Sequence, residues 1–535
     1  MPKFKDYNQN QPMLLPPDIR QWLQPDHICF VINDVVDNLD VSGVKATYSD
    51  NGSPAYNPRA LLKLMFFSYT QGIRSSRKIE KMAQESIVCR YLSANQQPDH
   101  STINLFRKDH LVNLEDIFAQ IVILCDGLNI IDPTNISIDG TILKASASKK
   151  KTYNQEQIAK LKKKIRGWLE ESEQIDAEED KRFGDKRGYN QMPDKLIDPK
   201  TRQKEIKRLQ KKIEQLNQAE KAIKDKQKKA KTGEERKQTR NNTHNTTDKD
   251  AVLMKIKNGK TCRPGYNGQI STSKQIILAY DVSDEGSDAR HLLPMVEKTE
   301  NNTKKRVETT KADSVYFNKG NLRGLKKKKI DSYIPDQMKS IEEKQERDNT
   351  IPKYDRRNFT YDQKKDQFIC PESKPLRYNS KDKKGRIYVG IECHSCSVKA
   401  KCTKGKKRTF RVDWQYEQDK AEMRKKLNSK LGKNKYLERM SDVEPPFGNI
   451  IYNQQAGHFL CRGRPMVKIE FGLSCSAHNL VKIANWSKRN DNKTQFATLM
   501  RLPAPTAGNQ GQTELNFLLV FQGALRTFKT ACKGR

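Results

Sequence analysis

Three acids set the chemistry to look for. Asp139 stands in ISIDGTILKASAS (136–148), where alternating apolar and small polar residues run up to a carboxylate at what reads as a strand's end. Asp313 stands in VETTKADSVYF at the end of another expected strand, 174 residues later. Glu444 stands in ERMSDVEPPFGNI, on an expected helix, ahead of an aromatic and a glycine. Two carboxylates at bonding distance repel, so a stable pairing needs a shared proton or a cation. With divalent metal between them, such acids can cut and join phosphodiesters: two Mg²⁺ about 3.5 to 4 Å apart activate the attacking oxygen and stabilise the leaving one. Each acid also has a plainer reading. Asp139 before Gly140 suits a turn, Asp313 a helix cap and Glu444 a solvated surface, in a chain with 65 acids to choose from. Asp281, Asp284, Asp288 and Glu470 are nearby rivals.

The surroundings of these acids are strongly basic. The chain has 535 residues, with 102 Lys and Arg, and a formal charge of +37. That field attracts polyanions, with nucleic acid or an anionic membrane surface as the natural partner, unless a lysine-rich composition merely inflates every surface. The length implies two to four domains. No apolar run reaches the roughly 20 residues of a membrane span, and the N-terminus has no charged-then-apolar signal pattern, so a cytoplasmic, nucleoid-associated protein is expected.

The elements that must position the acids fall in order. Residues 1–130 read as a helical DNA-binding domain: Pro58 opens a helix carrying Leu61, Leu62, Met65 and Phe66, and Arg74, Arg77 and Lys78 lead the candidate DNA contacts, with Arg90, Arg107 and Lys108. An ordinary helical domain with a solvated basic face fits the same residues. Residues 131–149 begin an α/β core. Residues 150–250 are a charged helical insertion with Ile206, Leu209, Ile213 and Leu216 at a/d spacing, and 200–240 holds 16 basic and 6 acidic residues. Residues 251–335 resume the core, with a hairpin over 265–283 turning near Ser273 and Lys274 and a helix that Asp288 caps. Residues 336–430 form a second insertion, 431–490 the end of the core with Glu444, and 491–535 a tail with an apolar stretch, FLLVFQGALRTF.

The second insertion holds Cys370, Cys393, Cys396 and Cys402, a CxxC pair with two outlying thiols. Four thiolates can close a tetrahedral structural Zn²⁺ site; the plainer readings are reduced thiols or a redox pair. The remaining seven of the eleven cysteines are isolated.

Around the acids, whole phrases resemble one family, the DDE transposases of bacterial insertion sequences. SIDGTILKASASK resembles that family's first-aspartate strand, GYNGQIST and IILAYDVSDEGSDARHLLPM its next two strands and helix, and KADSVYFNKGNL its second-aspartate motif. YLERMSDVEPPFGNI resembles its glutamate motif through Tyr436, Arg439, Val443, Glu444, Phe447 and Gly448, and YNPRALLKLMFFSYTQGIRSSRKIE with PDHSTINLFR resembles the accompanying N-terminal domain. The likeness runs in order from about residue 15 to about 490. It implies an RNase H-like core interrupted by two insertions and preceded by a mostly helical domain, with Asp139, Asp313 and Glu444 as the catalytic residues holding Mg²⁺ or Mn²⁺. It also implies cleavage at the element's ends, transfer of the freed 3′-OH to target DNA, and a homodimer assembled on double-stranded DNA. Tyr436 and Arg439 would touch a phosphate or flanking base; helix packing and an ion pair are the plainer roles. Two positions depart from the pattern: Val315 stands where Gly is common, and Ile451 where a phosphate-contacting Lys is common, which bears on DNA positioning rather than on metal binding. An endonuclease without strand transfer, or an inactive DNA-binding relic, would use the same surfaces.

Overall fold

The structure is a computed structural model describing residues 18–48, 54–167, 199–229, 243–255, 261–382 and 385–500. The apolar stretch of the tail and Cys532 lie outside the described residues, as do the segments 168–198 and 230–242 of the charged insertion.

Up to residue 127 the described residues are mostly helical, as their apolar spacing predicts. Helix α1 (Pro58–Thr70) starts where Asn57 accepts a hydrogen bond from the Arg59 amide and Pro58 fills a first-turn position that needs no N–H. Helix α2 (Ser76–Glu85) buries Ile79 and Ala83, half-buries Ser76, Glu80 and Met82 and exposes the rest, whereas α3 (Leu111–Gly127) is apolar on most sides because it is buried against the core.

The core is a mixed sheet of β1 (Asn135–Lys144), β2 (Val252–Lys255), β3 (Cys262–Ser273), β4 (Ile276–Ser283), β5 (Thr309–Ala312) and β6 (Asp331–Tyr333). Its order is β4-β3-β1-β5-β6, with β2 beside the start of β3; the first three run antiparallel and the last three parallel. The β3–β4 hairpin turns on Lys274 and Gln275, both at positive φ (47° and 67°), the two-residue geometry that matches strand twist. Asp139 is not at the end of its strand. Parallel pairing with β5 stops at Ile138, but antiparallel pairing with β3 carries β1 on to Lys144. Asp288 is not a helix cap either: Ser287 caps the short turn Asp288–Arg290, and α5 (Leu292–Thr303) starts later, which frees the Asp288 carboxylate to turn inward.

Two excursions leave this core. After β1, helix 155–167 packs against α4 (Pro199–Lys229), closing Ile158 and Ile165 on Leu216, Ala219 and Ile223, with a Lys162–Glu220 ion pair alongside. The expected charged insertion is therefore mostly helical in its described parts, though Ile206 is not part of its buried centre. After β6, five antiparallel strands, β7 (Thr360–Asp362), β8 (Gln367–Ile369), β9 (Pro375–Asp382), β10 (Gly385–Gly390) and β11 (Thr409–Val412), surround a small core of Phe359, Phe368, Leu376, Tyr388, Phe410 and Val412. The chain returns through α6 (Lys430–Gly448), which lies against β1, β3 and β5, and α7 (Arg464–Ser487), which packs on β4, α3 and α1. No described helix is long and apolar enough to cross a membrane.

Candidate active site

Strand register brings the two aspartates together. The parallel ladder pairs Ser137 with Lys311 and Ile138 with Ala312, so Asp139 and Asp313 are the next positions on neighbouring strands. Side chains alternate along a strand, which puts Ser137 and Asp139 on one face with Lys311. Helix α6 covers that face. Asp442 Oδ2 accepts a hydrogen bond from Ser137 Oγ (2.8 Å) and from Lys311 Nζ (3.2 Å), and Glu438 Oε2 accepts from the same ammonium at 3.1 Å. Lys311 is only 1% exposed, so these two acids are what make its buried charge tolerable. One layer further, Arg439 Nη2 stands 2.9 Å from Asp139 Oδ2 and 3.9 Å from Asp313 Oδ2. The remaining oxygens are held locally: Asp139 Oδ1 accepts from the Gly140 amide (2.9 Å) and Asp313 Oδ1 from the Ser314 amide (2.6 Å). Burial works against the Arg439 charge, but the two carboxylates outweigh it and hold its pKa above the usual range.

The far face of β1 is braced by a second polar network. A Cβ added at Gly140 would lie 2.0 Å from Gln269 Nε2 and 2.4 Å from Asp288 Oδ1, so only glycine fits beside Asp139. Asp288 Oδ1 accepts from Asn267 Nδ2 and Gln269 Nε2 (both 2.6 Å), and the buried Tyr316 hydroxyl donates to Gln269 Oε1 (2.6 Å). Burial first, then the nearby Asp288 and Asp139 carboxylates, push the Tyr316 pKa well up, so this phenol is a fixed donor. Ser137, Lys311, Glu438, Asp442, Asn267 and Gln269 all went unmarked in the sequence. Polar residues at alternate positions inside apolar strands, as in Asn267-x-Gln269, are the signal that could have found them.

The other expected residues are placed as follows. Glu444 is on α6, five residues past Arg439, exposed and without a hydrogen-bond or ion-pair partner among the described residues. Tyr436 is half-buried beside Arg439, and burial raises its pKa. Arg439 is buried in the ion pairs above, so its guanidinium faces protein carboxylates rather than solvent. Arg74 is also buried, paired with Glu470 and donating to Gln455 O (2.6 Å); burial takes it off the DNA-facing surface. Arg107 follows it inside, bonded to Tyr69 and Arg74 O. Arg77 and Lys78 are exposed on α2. Cys370, Cys393, Cys396 and Cys402 line one cavity of about 30 Å³. There, Cys370 Sγ accepts from the Lys374 amide at 3.3 Å, and an added Cβ at Gly390 would lie 2.4 Å from Cys393 Sγ.

The donors suit metals in kind. Carboxylate oxygens at Asp139 and Asp313 are the hard ligands Mg²⁺ prefers, and they already share one cation in Arg439. Four thiols suit Zn²⁺. Neither set is closed, however: among the described residues no three His, Cys, Asp or Glu side chains are gathered closely enough to hold an ion.

Comparison with known proteins defines the class as that of the transposases. Residues 17–109 match the family described as Transposase domain (DUF772), and residues 369–484 match the family described as Transposase DDE domain. The chain is a transposase protein with an N-terminal DUF772 domain and a C-terminal DDE domain. The second match takes in Glu444 and the four cysteines and leaves Asp139 and Asp313 outside it. No curated protein and no solved structure matches the chain.

Proposed function

We propose that the chain is a metal-dependent transposase that binds the ends of an insertion sequence, cleaves them and transfers the strand, working on an RNase H-like core with Asp139, Asp313 and Glu444 as the acids. The observation that carries this is the pairing of Asp139 with Asp313 at the end of the parallel ladder, under a helix that also bears Glu444, in a chain with two transposase domains. Three antiparallel strands followed by two parallel ones support the core assignment. Asp139, Asp313 and Glu444 would hold Mg²⁺ or Mn²⁺, which supplies the Lewis acid that phosphodiester attack needs. This chain's own part is orientation. Arg439 ties both aspartates to α6, the Ser137–Asp442–Lys311 layer fixes the height of that helix above the sheet, and Gly140 lets the backing network press against β1.

Purified protein incubated with DNA carrying the element's ends and Mg²⁺ or Mn²⁺, resolved on a denaturing gel, tests the reading. Joined strands establish the transposase; cut strands alone make it an endonuclease; bound but intact DNA in every metal makes it a DNA-binding relic. Two ends must meet for transfer, so a dimer on DNA belongs to the same proposal.

Exposed Arg77 and Lys78 on α2 would contact phosphates. Each phosphate contact contributes about 0.9 to the slope of log affinity against log salt. Replacing both by alanine is expected to lower that slope by about 2, measured by titrating a duplex probe at several salt concentrations. An unchanged slope removes α2 from the interface.

The four cysteines are proposed to hold one structural Zn²⁺. A six-residue core is small for a five-stranded module, and such modules are commonly stapled by a metal. Elemental analysis should find one zinc per chain in wild type and none in Cys393→Ser, with a lower melting temperature after chelation. Zinc-free native protein in which all four thiols react with a thiol reagent overturns the site.

A further inference from the structure

Beyond Asp139, β1 runs on as the floor of a large cleft. Thr141, which shares the face of Asp139, Ile142, Leu143 and Lys144 line one side of a cavity of about 1740 Å³. Helix 155–167 and the segment before it form a second wall, and residues 451–458 a third. Among the described residues, the charged side chains along the cleft are Lys144, Lys149, Lys150, Lys160, Lys164 and Arg263, and no Asp or Glu lines it. Glu156 pairs with Lys160 at 2.7 Å across one helical turn but lies off the cavity wall.

The third wall has an unusual backbone. Pro445 and Pro446 remove two amides from the end of α6, and the chain continues as a π-helical turn over Asn449–Asn453. Single π turns inside helices are frequent at functional sites. This one presents Tyr452, which is 79% exposed and lines the cleft. The wall is anchored all the same: the Lys144 amide donates to Gly457 O (3.2 Å) and the Phe459 amide to Lys144 O (2.8 Å). An exposed aromatic ring on an anchored wall, inside an all-basic cleft, is the combination that holds unpaired nucleotides by stacking and phosphate contact.

We infer that this cleft takes an unpaired DNA strand leading away from the scissile phosphate, with a base stacked on Tyr452. The inference rests on the transposase reading and adds the state of its DNA, a strand separated from its complement next to the acids.

The test uses full-length protein and three fluorescent probes of one sequence, a blunt duplex and the same duplex with an unpaired 5′ or 3′ overhang, read by anisotropy. Wild type should bind one overhang probe at least about 10-fold more tightly than the blunt duplex. Stacking on one aromatic ring is worth roughly 5- to 150-fold per base, so Tyr452→Ala should bring the ratio of overhang to blunt affinity close to one while Tyr452→Phe keeps it. Lys150→Glu with Arg263→Glu should lower overhang affinity most at low salt. Tyr452 is exposed, and an unchanged melting temperature in Tyr452→Ala verifies that the fold is intact. Equal binding of blunt and overhang probes by wild type, or an undiminished preference in Tyr452→Ala, overturns the cleft assignment and leaves the transposase reading standing. Failure of wild type to bind any DNA overturns both.

Discussion

Asp139→Asn is expected to abolish DNA cleavage, by at least about three orders of magnitude in rate, while leaving DNA binding in place. The substitution keeps the shape of the side chain and its hydrogen bond with the Gly140 amide, and removes the negative charge that a divalent cation requires. Metal assistance to phosphodiester attack amounts to several kcal/mol of transition-state stabilisation, and each 1.36 kcal/mol is tenfold in rate. Arg439 keeps Asp313 as a partner, so the fold should survive. The measurement is single-turnover cleavage of end-bearing DNA in Mg²⁺, with anisotropy on the same probe. Cleavage by the variant at the wild-type rate would move the chemistry elsewhere. The rival acids then divide clearly: Asp288 is consumed by Asn267 and Gln269, Glu470 by Arg74, and Asp281 accepts from the Val282 amide beside Lys298.

Arg74→Ala is expected to destabilise the protein by about 3 to 5 kcal/mol, the usual cost of leaving one partner of a buried ion pair alone. Glu470 would keep its charge in the interior of α7 with the amides of Leu460 (3.1 and 3.0 Å) and Cys461 (2.8 Å) and the Cys461 thiol to satisfy it, but no cation bonded to it. The same guanidinium donates to Gln455 O, so its loss also loosens the segment after α6 from the helical region. Replacing both partners, Arg74→Met with Glu470→Leu, should recover a large part of the loss, because no charge is then stranded. Denaturant unfolding of the two single variants and the double variant measures this. A single variant within about 1 kcal/mol of wild type would show that water or another group already compensates the pair.

The sequence makes the aspartates legible and leaves their setting hidden. Asp139 and Asp313 stand out through the phrases around them, which resemble the transposase motifs, and the parallel register makes them neighbours. What alternation cannot show is where pairing changes sense. Residues 139 to 144 continue as strand only because β3 lies alongside, and that long-range partner leaves no local mark. Charge reads as surface, which is right for Arg77 and Lys78 but wrong for Arg74 and Arg107. A buried cation looks the same in sequence as a solvated one until its partner is known, and for Arg74 the partner stands 396 residues away. The Asp288 side chain was assigned to a cap because a short acid ahead of an apolar run usually is one. Here buried amides on β3 compete for it and win.

The charged insertion joins the core through a narrow stem. Thr152 and Tyr153 pair with Asn245 and His244, and Asn245 Nδ2 ties the outgoing strand to the returning one through Ser148 O (2.9 Å) and Thr152 Oγ1 (2.8 Å). Helix 155–167 and α4, with their own apolar seam, are joined to the core through this pairing. The two helices are mounted like a cantilever. Whole helical turns can be added to or taken from them without altering the register of β1 or the place of Asp139, so their reach and charge are free to change while the chemistry stays fixed.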